Sequence, residues 1–339
     1  MSLSKFFMGV LLMTLAIGAE IQTSVQMGLI TASNYVGDRE VAWRIKIAGE
    51  RLGWKVFLDE EEGIRLNYKQ LDWVICMLHN NNISNTPCPN YLMVFHPFTF
   101  LNEKRRFKSF FHKYDGYLLT INDRETLEKG LKKKNKKFHH ISFYPTIYNI
   151  SYKKLPLNDL VVMIAVWGNR LNDPRFGTLY QLLSQSGFAK FYGRASHPNV
   201  DPQKYMGSIP FDGTSVIDVL QKHGIVLVLH SEVHNREAIP SGRIFEAAAA
   251  STVIISDENP FVKKHFGDSV FYIDSSGSGE SMFQQIQAHI NTIFKNPEKA
   301  FEMAEKAHQI FVDNFTLERQ LLNLKSMHKK VLEHRKKKA

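Results

Sequence analysis

The residue types best suited to chemistry in this 339-residue chain gather between Gly224 and Asp257, where Pro240-Ser241-Gly242 leads into Arg243-Ile244-Phe245-Glu246-Ala247-Ala248-Ala249-Ala250. Serine is a favoured helix N-cap and glycine lets a ligand approach the backbone closely. Ser241 and Gly242 therefore open a helix whose free N–H groups and partial positive charge suit a diphosphate. Arg243 adds a cation there, and Glu246, about one turn further in, can accept hydrogen bonds from the two hydroxyls of a ribose. His79 and His96 each end an apolar run, and an imidazole so placed is a candidate general base. A lone histidine at a strand end is more often a hydrogen-bonded structural residue.

The elements that must position these groups are legible around them. Ile225–Leu229 and Val253-Ile254-Ile255 read as buried strands flanking the loop and its Ala-rich helix. In a strand–loop–helix–strand unit of parallel strands, the loop lies at the carboxyl ends and the helix points its amino terminus into the crevice. Upstream, a strand at Val25–Ile30 runs into Thr31–Asp38. A helix follows with Val41, Ile45, Ala48 and Leu52 at helical spacing, Gly53 ends it, and Trp54–Leu58 is the next strand. Asn34, Gly37 and Asp38 stand in that first loop, where Asp38 equally suits a helix cap. Further strands are expected at Leu71–Leu78, Tyr91–Phe95, Tyr114–Thr120, His139–Tyr144, Leu160–Val166 and Val270–Asp274. Thr146–Leu157 reads as a linker, and the segment from Pro297 to His334 as helices reaching back toward the first half.

At Ser241-Gly242-Arg243-Ile244-Phe245-Glu246-Ala247 and Ile254-Ile255-Ser256-Asp257 the chain resembles the group 1 glycosyltransferases with the GT-B fold, over about residues 160–320. The resemblance implies an α/β chain of two Rossmann-like domains facing each other across a cleft. Residues 1–24 would be a signal-like or anchoring segment, 25–150 the acceptor domain, 157–320 the nucleotide-sugar domain and 321–339 a helix with a basic tail. It further implies that Glu246 holds the ribose, that Gly168 and Arg170 approach the donor phosphates, that Tyr192 lies near the base, and that Asn34 and Gly37 line the acceptor side of the cleft. An earlier acidic residue often faces the donor sugar in that family. Here Glu237 stands with eight residues between it and Glu246, one more than the family spacing.

A net charge of +10 and pI near 9.4 suit anionic partners. Much of the excess is local, in Lys129, Lys132, Lys133, Lys134, Lys136 and Lys137 and again in Arg335–Lys338, a composition that suits a solvated loop and tail or an anionic membrane surface. No aromatic-basic interleaving or zinc spacing accompanies these runs, so nucleic acid is not expected. No Gly-x-Gly-x-x-Gly occurs, which weighs against a dehydrogenase, and no Asp-x-Asp, which suits a metal-independent enzyme without cofactors. Cys76 and Cys88 read as a buried thiol and an incidental loop thiol. Phe6–Ala19 has the length of a signal-peptide core, leaving a cytoplasmic or membrane-associated protein and an exported one both open.

The expected function is transfer of a sugar, with retention more in keeping with the motif than inversion, from a nucleotide-sugar to a glycan, lipid-linked or protein acceptor. The alternatives are an epimerase of the same fold and a catalytically inactive nucleotide-sugar-binding protein.

Overall fold

The computed structural model describes residues 24–31, 36–59, 66–77, 86–95, 111–120, 124–164 and 173–337. Two parallel sheets make two α/β domains. The first has the strand order β2-β1-β3-β4-β5-β6. Its strands are β1 (Gln26–Ile30), β2 (Lys55–Leu58), β3 (Trp73–Cys76), β4 (Asn90–Val94), β5 (Gly116–Leu119) and β6 (His140–Ser142). β3, β4 and β5 are buried along their whole length, as expected of parallel strands covered on both faces. Helix α1 (Val36–Arg51) connects β1 to β2 and buries Val41, Ala42, Ile45 and Ala48; helix α2 (Arg124–Lys132) precedes β6.

The second domain orders β11-β10-β9-β7-β8, with β7 (Asp159–Met163), β8 (Ala189–Tyr192), β9 (Gly224–Val228), β10 (Val253–Asp257) and β11 (Phe271–Ile273). Its helices follow its strands in sequence: α3 (Pro174–Gln185), α4 (Ser215–His223), α5 (Glu232–Arg236), α6 (Gly242–Ala249), α7 (Pro260–Phe266), α8 (Gly279–Lys295) and α9 (Pro297–Asn314). Most boundaries expected from periodicity fall within a residue or two of these. Helix α5 lies inside what reads in sequence as an irregular polar loop; Ser231 caps it by accepting from the His234 N–H.

The last helix, α10 (Leu317–Lys336), is capped by Thr316 and packs against α1 and β6 of the first domain. Leu317, Leu321, Leu324, Met327 and Val331 are buried there. The Tyr91 hydroxyl lies 2.7 Å from His328 Nδ1, and the Trp73 and His328 rings are 4.5 Å apart. The residues after 320 are thus a wall of the first domain rather than an appendage. Arg335 is drawn in as well, pairing with Asp115 at 2.7 Å.

The linker is pinned rather than loose. Ile147 is buried and its carbonyl accepts from the Leu317 N–H at 3.0 Å. At Gly224, φ is +83°, and an added Cβ would stand 1.9 Å from the Pro156 carbonyl oxygen, so only glycine lets the chain enter β9 there. One apolar cluster includes Ile45 and Ala48 of α1, Ile147 of the linker, and Val216, Leu220 and Phe245 of the second domain. The domains share a core. Cys76 and Cys88 are free; Cys76 ends β3, and Cys88 lies in the loop before β4 and is buried there as well, while burial pushes the Cys76 thiol up.

Candidate functional site

In the second sheet the chain passes from β7 to β8 on one side and returns to β9 on the other, so the topological switch lies between the carboxyl ends of β7 and β9. Helix α6 starts beside it. Ser241 Oγ accepts from the Arg243 N–H at 3.4 Å as N-cap, and Arg243 Nη1 donates to the Met163 carbonyl at the end of β7 at 3.5 Å. The structure thus brings Ser241, Gly242 and Arg243 to the crevice. Gly242 has a second reason to be glycine, since an added Cβ would lie 2.9 Å from the carbonyl oxygen of Pro145, just before the linker.

Glu246 sits one turn into α6 and is 12% exposed, with Oε1 2.8 Å from Arg44 Nη1 of α1, in the opposite domain. Arg44 also donates from Nη2 to Glu40 Oε1 at 2.7 Å, and Glu40 Oε2 accepts from the Gly213 N–H at 2.9 Å. Burial alone lowers the pKa of Arg44, and the two carboxylates outweigh it, so the guanidinium stays charged at 3% exposure. Arg44 is a site neighbour that sequence reasoning missed. Its position on a helix in the other domain gave no signal.

The loop from β9 to α6 is held by the end of β10. His230 Nδ1 lies 2.6 Å from Asp257 Oδ1, and the His230 N–H donates to Oδ2 at 2.9 Å. The Asn235 amide donates to Oδ2 at 3.0 Å, and Asn259 Nδ2 donates to Asn235 Oδ1 and the Ile239 carbonyl. Burial pushes the Asp257 carboxyl upward; its hydrogen bonds from His230 and Asn235 prevail and hold it below the usual carboxylate range. His230 is the second group missed, although it ends an apolar run just as His79 and His96 do.

Glu237 is the half-buried C-cap of α5, its N–H bonded to the Val233 carbonyl at 2.9 Å. The chain then turns through Ala238 at φ +52° and buries Ile239 in an apolar cluster otherwise built from the first domain. Tyr192 ends β8 with its ring buried and its hydroxyl 2.8 Å from His223 Nε2, whose Nδ1 is 2.9 Å from Asp159 at the amino end of β7, so the hydroxyl turns away from the crevice. Gly37 is exposed in the first turn of α1. Asp38 beside it is 4% exposed, its Oδ2 has no hydrogen-bond partner among the described residues, and burial pushes its pKa up to about 7. Asn34, His79, His96, Gly168 and Arg170, with residues 1–23, lie outside the described residues.

Lys129, Lys132, Lys133, Lys134 and Lys137 are exposed and precede β6, so they stand at the amino edge of the first sheet, opposite its crevice edge. The rings of His139 and His334 are 5.5 Å apart, which brings the basic end of α10 to the same edge. Among the described residues, no three His, Cys, Asp or Glu side chains group to hold a metal ion, and no helix is long and apolar enough to cross a membrane.

Known proteins are similar to this chain in two ways. No curated protein sequence matches it. Sucrose-phosphate synthase from Thermosynechococcus elongatus superposes with a TM-score of 0.58 at 10% identity, over 91% of this chain and 100% of that one. Anabaena HepE in complex with UDP-glucose gives 0.56 at 10% identity, over 92% and 99%. Against a variant of S. aureus TarM the chain spans about half the partner's length, 55%, with 76% of this chain covered, 11% identity and a TM-score of 0.51. The whole described chain has the GT-B architecture of two facing Rossmann-like domains, and residues 160–326, the second domain with the first turns of α10, match the model of the glycosyl transferase-like family.

Proposed function

We propose that this protein is a glycosyltransferase that takes a sugar from a nucleotide-sugar bound on the second domain and passes it to an acceptor presented by the first. The observation that carries the reading is the head of α6. A Ser-capped helix start, a guanidinium and a carboxylate one turn in are set in order at the switch point between β7 and β9. The family match over this domain supports it, as does the GT-B architecture shared with a protein whose structure holds UDP-glucose.

In this reading the diphosphate lies on the Ser241–Arg243 turn, and the two ribose hydroxyls donate to Glu246. The Arg44 contact uses Oε1 of that carboxylate; Oε2 faces the sugar. Arg243 and Arg170 meet the charge that grows on the departing diphosphate, so no metal ion or cofactor is required. Transfer proceeds with retention, by the likeness of the Ser241–Ala247 run to that of retaining enzymes. The acceptor is a glycan, a lipid-linked sugar or a protein.

The test is calorimetry with UDP and 2′-deoxy-UDP on the wild type and Glu246→Gln. The substitution should weaken UDP binding by about 1–3 kcal/mol and leave 2′-deoxy-UDP much less affected. Equal UDP affinity in a folded Glu246→Gln protein would remove the ribose assignment. A wild type that binds no nucleoside diphosphate would remove the transferase reading.

A further inference from the structure

His230 and Asp257 form a pair with both side chains 0% exposed, at the carboxyl ends of adjacent strands β9 and β10. The carboxylate is saturated with donors. Oδ1 receives His230 Nδ1, and Oδ2 receives the His230 backbone N–H, the Asn235 amide and, at 3.5 Å, the Ser275 hydroxyl. An oxygen pair that accepts from four donors is ionised, so His230 Nδ1 carries a hydrogen. The remaining ring nitrogen, Nε2, is buried and has no hydrogen-bond partner among the described residues. Leaving a buried polar atom unmet costs about 1–3 kcal/mol. In a parallel sheet such residues at strand ends recur where a ligand completes them.

His230 follows β9, whose neighbours are β10 and β7; Asp257 engages Nδ1 from the end of β10, and the β7 side of β9 is the switch point. Arg243 reaches the Met163 carbonyl from α6 at the same place.

We propose that His230 is a phosphate-binding residue: oriented by Asp257, it takes up a proton from solvent on ligand binding and donates Nε2–H to a phosphate oxygen of the donor diphosphate. This rests on the transferase reading and deepens it. Asp257 holds the ring from behind through Nδ1, and a phosphate oxygen in front supplies the acceptor that a buried Nε2–H needs. Among the described residues, the other ionisable side chains on the elements around the ring are Glu232, His234 and Arg236 of α5, Glu237 after it, Glu258 after β10, Asp274 after β11, and Arg243. To these the head of α3 adds the Asp173–Arg175 pair, which binds Glu232 and the Ser275 and Ser276 carbonyls. His234 is the other imidazole among them, tied through Nδ1 to the Ser231 hydroxyl at 2.5 Å.

The experiment is calorimetry of the full chain near pH 8 with the diphosphates of uridine, adenosine, guanosine and thymidine, repeated in buffers of different ionisation enthalpy to count protons taken up. The wild type should bind one of them with net proton uptake. His230→Gln should bind it roughly tenfold or more weakly with the uptake gone, and Asp257→Asn should lose the uptake in the same way. His234→Gln should keep it, and circular dichroism melts establish that each variant is folded. A folded His230→Gln that binds with wild-type affinity and uptake overturns the role of His230 while leaving the transferase reading standing. A wild type that binds none of the four overturns both.

Discussion

Arg44 and Glu246 meet across the domain boundary at 2.8 Å, with 3% and 12% of their side chains exposed. The guanidinium serves Glu40 with Nε and Nη2 and Glu246 with Nη1, a fork that an ammonium group cannot reproduce. Arg44→Met leaves two carboxylates facing each other in a closed space. It should cost about 3–5 kcal/mol of stability, and Arg44→Lys should recover only part of this, as read by urea unfolding. A loss below about 1 kcal/mol for Arg44→Met would show that the pair is solvated and dispensable.

Asp38 gives a stability slope at neutral pH. Its folded pKa, about 7, lies above the ordinary aspartate value of 3.8 because burial disfavours the charge. Between those values the native state holds a proton that the unfolded state has released, so stability falls as pH rises through the window, by at most about 1.4 kcal/mol per unit. Asp38→Asn should match the wild type near pH 4 and exceed it at pH 8. Denaturant titrations at both ends check this, and parallel curves at the two pH values would place the carboxylate in water.

His328 works in the opposite sense. Burial between Trp73 and Tyr91 carries its pKa from 6.5 down to about 4. The unfolded chain binds the proton first as pH falls through that window, so stability is present above pH 6.5 and is lost toward pH 4. His328→Gln should flatten this acid limb. Thermal melts between pH 4 and 7 follow it, and an unchanged limb would assign the acid loss to other groups.

Gly224 is the sharpest backbone test. With φ at +83° and the Pro156 carbonyl oxygen 1.9 Å from the position of a Cβ, Gly224→Ala has both strain and a collision with backbone to absorb. A loss of about 2–4 kcal/mol or failure to fold is expected. A well-folded Gly224→Ala protein with unchanged melting would mean that the linker shifts freely.

How much of this was legible in sequence depended on whether the signal was local. The cap at Ser241, the helix behind it and the strands on either side came from residues adjacent in the chain, and the structure has them where the pattern placed them. Arg44 stands about two hundred positions from Glu246, and no periodicity or spacing connects them. The direction of the Tyr192 side chain was hidden for a related reason. A strand end near a crevice says where the backbone is, and the hydroxyl followed a buried imidazole instead. His230 was within reach, because the rule that singled out His79 and His96 applies to it equally; what hid it was the polar run after it, where α5 read as plain loop.

Helix α10 closes the first domain with residues from the far end of the chain, and Tyr91 must wait for His328. On a ribosome adding roughly 5–20 residues per second, β6 emerges on the order of ten seconds or more before Leu317 does. During that interval the β-sheet of the first domain lacks the wall that covers Trp73 and Tyr91. The second domain, whose strands and helices follow one another without such a debt, can form meanwhile. The order of maturation is therefore the reverse of the order of synthesis, and a nascent chain stalled before Thr316 would carry a finished second domain beside a first one exposing an aromatic face to chaperones.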